Sequence, residues 1–143
     1  MTEIKIGGRI VPLNYSAYEM IAIQQDIGCT AFQLKEVVFG ARLENEDDPK
    51  SLKLDVVNDP ERVEKLGKLI RILGNAGLEE KGEPADITDK WVLRNMKPAM
   101  VLAYAVAALS EIIMGNTMEA KKEESGPVDE GLEEEQAKKQ PGN

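Results

Sequence analysis

The sequence predicts a mainly α-helical chain: a small N-terminal β-hairpin packed on a compact bundle of about five helices, followed by a disordered acidic C-terminal tail. Three observations predict it. Ile4 and Ile6 alternate with Glu3 and Lys5 ahead of Gly7-Gly8, the period of a half-buried strand running into a tight turn. Apolar residues then recur at helical spacing behind a series of capping residues. From Glu119 the composition turns polar and acidic. The expected organisation is a helical domain with its hairpin at 1–118 and the tail at 119–143.

The hairpin is expected over 2–13. Gly7-Gly8 supplies the positive φ angles of a two-residue turn, and Arg9-Ile10-Val11-Pro12-Leu13 is the return strand. Pro12 cannot donate to a ladder, so it belongs at an edge or a strand end. An isolated hairpin is marginal in water and needs a helix to lie on. The first helix starts at the capping box Ser16-Ala17-Tyr18-Glu19, with Ala17, Met20, Ile21, Ile23, Gln24 and Ile27 marking one face and Gly28 as its stop. A second capping box, Thr30-Ala31-Phe32-Gln33, opens a short helix carrying Phe32, Leu34, Val37, Val38 and Phe39 and ending at Gly40. Residues 41–58 read as loop or a short extended piece, with an acidic turn at Glu44–Pro49 and weak alternation at Leu52, Leu54 and Val56.

Asp59-Pro60-Glu61 is a helix start, Asp as the cap and Pro at the first helical position. Val63, Leu66, Leu69, Ile70 and Leu73 form its stripe, and Gly74 or Gly77 is the expected end. A charged linker covers 79–85. Asp86-Ile87-Thr88-Asp89 caps a helix with Trp91, Val92, Leu93 and Met96; Lys97-Pro98 breaks it. The last helix is expected from about Pro98 to Met118. It is apolar nearly all round over 99–109, the pattern of a central buried helix, with the seam of a homo-oligomer as the second reading. On that reading Met100→Asp or Ala105→Asp should each destabilise strongly. Residues 119–143 hold 8 acids and 4 bases, with Val128 and Leu132 as the only large aliphatics, too little apolar surface to offset the entropy of ordering.

Composition excludes several kinds of chemistry. The chain has 143 residues, room for one domain, with 42% apolar and 31% charged side chains. Aromatics are 4%, so aliphatics and Met must fill the core. Lys plus Arg is 18 and Asp plus Glu is 26, a net charge of −8 that repels phosphate backbones, so nucleic acid is not an expected partner. There is no His, hence none of the commonest general base and metal ligand. One Cys allows no internal disulfide and suits a reducing cytoplasm. No signal peptide is visible, and the apolar stretch Met100–Met114, interrupted by Ser110 and Glu111, falls short of the ~20 residues of a membrane span.

No catalytic, cofactor-binding or metal-binding residue is expected, and no cofactor. Gly7-Gly8 lacks the rest of a phosphate loop, and Cys29 has no His to activate it. The acidic run Glu44–Asp48 lacks the spaced ligand ladder of a calcium loop. Carboxylates occupy caps, turns and solvated faces rather than forming an isolated pair, so the chain reads as not an enzyme. Trp91 reads as core packing or as a partner anchor; Tyr15 and Tyr18 as staples of the first helix; Lys65, Lys68 and Arg71 as a solvated face or the footing of an acidic partner. The Met residues at 1, 20, 96, 100, 114 and 118 read as core filling or as adaptable contacts on a tolerant surface.

The order of these parts carries a resemblance. I-K-I-G-G-R-I-V-P-L, a capped helix ending in Asp26-Ile27-Gly28, a second short helix, the D-P-E-R helix, Asp86–Met96, Lys97-Pro98 with its Ala-rich helix, and an acidic tail together resemble the tail assembly chaperones of long-tailed bacteriophages and prophages of Gram-positive bacteria. The resemblance spans about residues 3–118. It implies a non-catalytic interaction protein that binds the long helical tape-measure protein, keeps it soluble and helps tail tube subunits assemble around it. It also implies the cytoplasm of the bacterial host, absence from the mature virion, the tail tube protein as a further partner, and either an exposed apolar patch or a self-association that hides one. Many such chaperones have a longer frameshifted form. This chain would be the short one, and Lys121-Lys122 and Lys138-Lys139 are places where a slippery run of A fits. The alternative within the same setting is a minor structural tail or head–tail joining protein.

Overall fold

The computed structural model describes residues 1–117; the expected tail at 119–143 lies outside the described residues. The chain divides into two compact units, Met1–Ile112 and Ile113 onward. It is mostly helical, with five α-helices and a small two-stranded hairpin at its N-terminus.

Strands β1 (Thr2–Ile6) and β2 (Arg9–Leu13) pair antiparallel, Ile4 opposite Val11 and Ile6 opposite Arg9. The turn between them has φ of 60° at Gly7 and 76° at Gly8, a backbone that glycine adopts without strain. Pro12 faces Glu3 one residue before the strand end, as its missing donor requires. Ile4, Ile6, Val11 and Leu13 are buried, so the hairpin contributes one apolar face to the core.

That face lies on α3 (Pro60–Glu80), the 21-residue centre of the fold, buried at ten positions from Leu66 to Leu78. Asp59 caps it as expected, accepting the Glu61 N–H at 3.0 Å. The expected stop at Gly74 or Gly77 is wrong. The helix runs through both, because they are where β2 crosses it. A Cβ on Gly77 would stand 1.9 Å from the Pro12 carbonyl oxygen, and one on Gly74 would stand 2.9 Å from Val11 Cγ1. The Asn14 N–H then donates to the Leu73 carbonyl at 3.0 Å. The helix ends instead at Lys81-Gly82, inside the charged linker.

The first helix, α1 (Ala17–Asp26), is present with its cap: Glu19 Oε1 accepts the Ser16 N–H at 2.9 Å and the Ser16 hydroxyl. Its buried side is Glu19, Ile23 and Ile27, while Met20 and Ile21 face outward. The cap turns Glu19 inward, which rotates the expected face by part of a turn. The second capping box forms in both directions, Thr30 N–H to Gln33 Oε1 at 2.9 Å and Gln33 N–H to Thr30 Oγ1 at 3.3 Å. It opens one 3-10 turn and the short α2 (Leu34–Val37). Leu34, Val38 and Phe39 enter the core, but Phe32 is exposed. Residues 41–58 contain more order than expected. Two-residue strands β3 (Arg42–Leu43) and β4 (Leu52–Lys53) pair antiparallel around the acidic turn.

Helix α4 (Asp89–Asn95) starts where Thr88 Oγ1 accepts the Trp91 N–H at 3.1 Å. Lys97-Pro98 ends it, and a 3-10 turn leads into α5 (Val101–Gly115). Two bonds tie α5 to β1: the Tyr104 hydroxyl donates to the Lys5 carbonyl at 2.7 Å, and buried Glu111 accepts the Thr2 N–H at 2.9 Å. The expectation of a helix buried all round is corrected. Val101, Tyr104, Ala105, Ala108 and Leu109 are buried, but Met100, Leu102 and Val106 are each nearly half exposed. Pro98–Gly115 is also, by length and composition alone, long and apolar enough to cross a membrane, where the sequence reading had it too short. Its buried side belongs to the core shared with the hairpin.

Two outcomes follow from this packing. Gly77→Ala should cost about 2–3 kcal/mol in urea denaturation despite its better helix propensity, because the obstacle is backbone. Gly74→Ala should cost less, because a Val11 methyl can move. Equal stabilities would show that β2 is not seated on Gly77. Ala105→Asp, placing an unpaired charge at a fully buried site, should cost at least about 3 kcal/mol, whereas Met100→Asp should be tolerated; a wild-type melting curve for the Ala105 variant would count against the packing of α5.

Candidate functional site

A concavity with mainly apolar walls lies where α3 begins, α4 ends and α5 begins. Val57, Pro60, Val63 and Glu64 form one wall, Leu93 and Met96 the second, and Pro98 and Val101 the third, enclosing about 510 Å³. Local sequence builds it. Pro60 starts α3 at its first helical position, and the Lys97-Pro98 break separates α4 from α5 and leaves a notch between them. Where α4 crosses α3 the approach is close: a Cβ on Gly67 would lie 2.7 Å from Leu93 Cδ2. The floor is buried, Met96 and Val101, and Val57 on the rim is half exposed. Glu64 is the one charged side chain in the lining. Such a groove can take the apolar side chains of one helix face.

A second concavity, about 310 Å³, is lined by Lys35, Ala41, Arg42, Leu43, Glu46 and Leu52. Its walls carry both signs of charge. The nearby register sets Arg42 directly opposite Lys53 across β3 and β4.

The basic stripe of α3 is occupied from within the chain. Arg71 pairs with Asp89 through Nε and with Asp26 at 3.1 Å, Lys68 pairs with Asp89 at 3.1 Å, and Lys65 with Glu61 at 3.4 Å. Burial pushes the Asp89 carboxyl up, but the hydrogen bonds and charges of Arg71 and Lys68 outweigh it and hold the carboxyl below its usual range. This network ties the end of α1 and the start of α4 to α3. It replaces both sequence readings of Lys68 and Arg71, because acids from elements distant in sequence reach them, while Lys65 pairs with the exposed Glu61 four residues back, as on a solvated face.

The other singled-out residues fall in separate places. Cys29 is buried; burial pushes its thiol up, against the charge of Lys65, which disfavours the thiolate. Tyr15 is buried and Tyr18 exposed, and the Tyr15 hydroxyl has no hydrogen-bond partner among the described residues. Trp91 is half buried, its ring edge 2.9 Å from the position of a Cβ on Gly7. In the acidic turn, Asp48 accepts the Lys50 N–H and Asn45 the Asp47 N–H, so both side chains serve the loop's own backbone. Among the described residues no three Cys, Asp or Glu side chains gather as a metal site. Met1, Met20, Met100 and Met114 are exposed and Met96 is buried, so core filling accounts for only one of the five described; Met118 lies outside them.

Comparison of the chain with family models, with curated proteins and with solved structures returned no match.

Sequence reasoning identified Met96 and Pro98 as features but not the groove. Val57 sat in a segment without clear periodicity, and Val63 and Leu93 read as core. The usable signal was the Pro98 break next to a helix apolar on every side, since a broken helix pair cannot cover all of that surface.

The ion-pair network has a pH signature. Asp89 has a depressed value in the folded state, so its contribution is fully present above about pH 5 and is lost as pH falls through that value, below about 4. Asp89→Asn should therefore lower stability by on the order of 1 kcal/mol at pH 7, allowing for solvent screening, and by progressively less as pH falls below about 4. A difference that does not change with pH would show that the carboxylate charge is not what binds α4 to α3.

Proposed function

We propose that this chain is a non-catalytic phage tail assembly chaperone that holds an apolar helical segment of the tape-measure protein in the groove between α3, α4 and α5. The observation that carries this reading is the groove itself: apolar on three walls, buried at its floor, open at its rim and nearly free of charge. The surface around it fits a client-binding role. A net charge of −8 keeps a complex with an apolar client in solution. Exposed Met100, beside the groove-lining Val101, supplies a soft contact that tolerates variation in the client. The chaperone then acts in the bacterial cytoplasm, is displaced as tail tube subunits polymerise on the client, and leaves before the virion is complete.

The physical basis is helix-in-groove recognition. A tape-measure helix exposes an apolar stripe that aggregates in water, and covering part of it removes that surface from self-association. No covalent step is needed for this role.

The test is co-expression with the protein encoded by the long open reading frame downstream. The expected outcome is a soluble complex with a client that is insoluble alone, and its loss, by tenfold or more in recovered client, in Val57→Glu with the melting temperature unchanged. A client that stays insoluble in every combination, with this chain found in purified particles, would replace the chaperone by a structural tail or head–tail joining component.

A further inference from the structure

The groove has a charged margin outside its lining. Along α4 and the break that follows it, Lys90, Arg94 and Lys97 are exposed. Lys90 stands three residues before the lining Leu93 and four before Arg94, spacings that make them neighbours on the helix surface. Lys97 lies in sequence between the lining residues Met96 and Pro98. None of the three takes part in the ion pairs among the described residues. The acid on their own helix, Asp89, is already held by Lys68 and Arg71. From Lys90 to Ser110 the sequence has these three cations and no acid, within a chain of net charge −8.

We infer that the groove selects its occupant by charge: it takes an amphipathic helix whose apolar stripe is bordered by acidic residues, the acids lying against Lys90, Arg94 and Lys97. The inference rests on the reading of the groove as a helix-binding site and names the chemistry of that helix. The lining is apolar apart from Glu64, so by itself it accepts any helix with an apolar stripe. The margin adds discrimination. Cations without an internal partner attract an acid-bordered helix and repel a basic one, and complementarity of this kind governs approach and choice of partner more than total affinity. Glu64 is exposed on the α3 wall and has no cation partner among the described residues. A base on the other border of the client stripe meets it there, and the two signs on different walls fix which way round the helix lies.

A bilayer with anionic headgroups would meet the same cations. Shape favours the helix. An interfacial helix presents its own apolar face to the bilayer, whereas here the apolar residues line a concavity with Met96 and Val101 buried at its floor. The rest of the acidic chain repels an acidic segment, so such a segment is held at this margin rather than over the whole surface.

Two synthetic peptides of about 18 residues, five helical turns, test the inference by fluorescence anisotropy with the full chain. They share one leucine stripe, bordered by glutamate in one and by lysine in the other. The acid-bordered peptide should bind about tenfold tighter at low salt, the sum of three exposed pairs of ordinary strength, and the preference should shrink to about threefold in 0.5 M salt. Lys90→Glu/Arg94→Glu/Lys97→Glu should turn the preference round at unchanged melting temperature. Should that variant fail to fold, Lys90→Gln/Arg94→Gln/Lys97→Gln should bring the two peptides within about twofold of each other. Val57→Gln, a neutral change at the groove rim, should weaken both peptides alike. Equal binding, a preference for the lysine-bordered peptide, a preference that survives the neutralised variant, or acid-bordered binding that Val57→Gln leaves intact would each overturn the inference. So would capture of phosphatidylglycerol vesicles by a chain that does not hold the acid-bordered peptide. Binding of neither peptide, alongside a soluble co-expressed complex, overturns the charge selection alone; binding of neither and no complex removes the chaperone reading with it.

Discussion

The close approach of β2 to α3 at Gly77 is the constraint on which the rest of the fold depends. With a bare backbone there, the strand reaches to within van der Waals distance of the helix, and the Pro12 carbonyl occupies the space a side chain would fill. That seating places Val11 and Leu13 on the helix and lets the Asn14 N–H reach the Leu73 carbonyl. A two-stranded hairpin has little stability alone. Here its apolar face closes on α3, and Tyr104 and Glu111 of α5 hold β1 from the other end.

The remaining elements are fastened to this assembly by polar contacts of long sequence range. The Asn75 amide pairs with both backbone groups of Ile87 at 3.0 Å, as a neighbouring strand would, and so fixes the segment leading into α4. Arg9 binds Asp86 and the Pro84 carbonyl, and Lys81 binds Glu3, drawing the same segment and the end of α3 to the hairpin. The cations of the α3 stripe are largely spent on these internal duties, as are Asp26 and Asp89. The apolar surface that the described residues leave exposed includes the groove beneath Val57 and the outer side of α5.

Much of the fold was legible locally. The period of two before Gly7-Gly8, the caps at Ser16, Thr30, Asp59 and Thr88, and the break at Pro98 are short-range chemistry, and each is present. The misreadings have one origin. Gly74 and Gly77 have the local character of a helix end, but their role is to admit β2, a partner sixty residues away. Ile21 and Phe32 fit an apolar face by spacing, yet neighbouring elements do not cover them. Lys68 has Glu64 four residues back, yet it closes on Asp89 of α4, and Arg71 closes on Asp89 and Asp26. The groove was invisible for the same reason, since its walls come from three helix ends whose relative placement no periodicity records.

The sequence by itself determined where helices and strands begin, that the chain is mostly helical, and which chemistries its composition withholds, because caps, turns and side-chain inventory act over a few residues. Only the tertiary structure decided which apolar residues are core and which are surface. That choice depends on how many sides of each helix the rest of the chain can reach. With one hairpin and one long central helix to pack against, α5 and the mouth of the groove keep apolar sides that the other described residues do not cover.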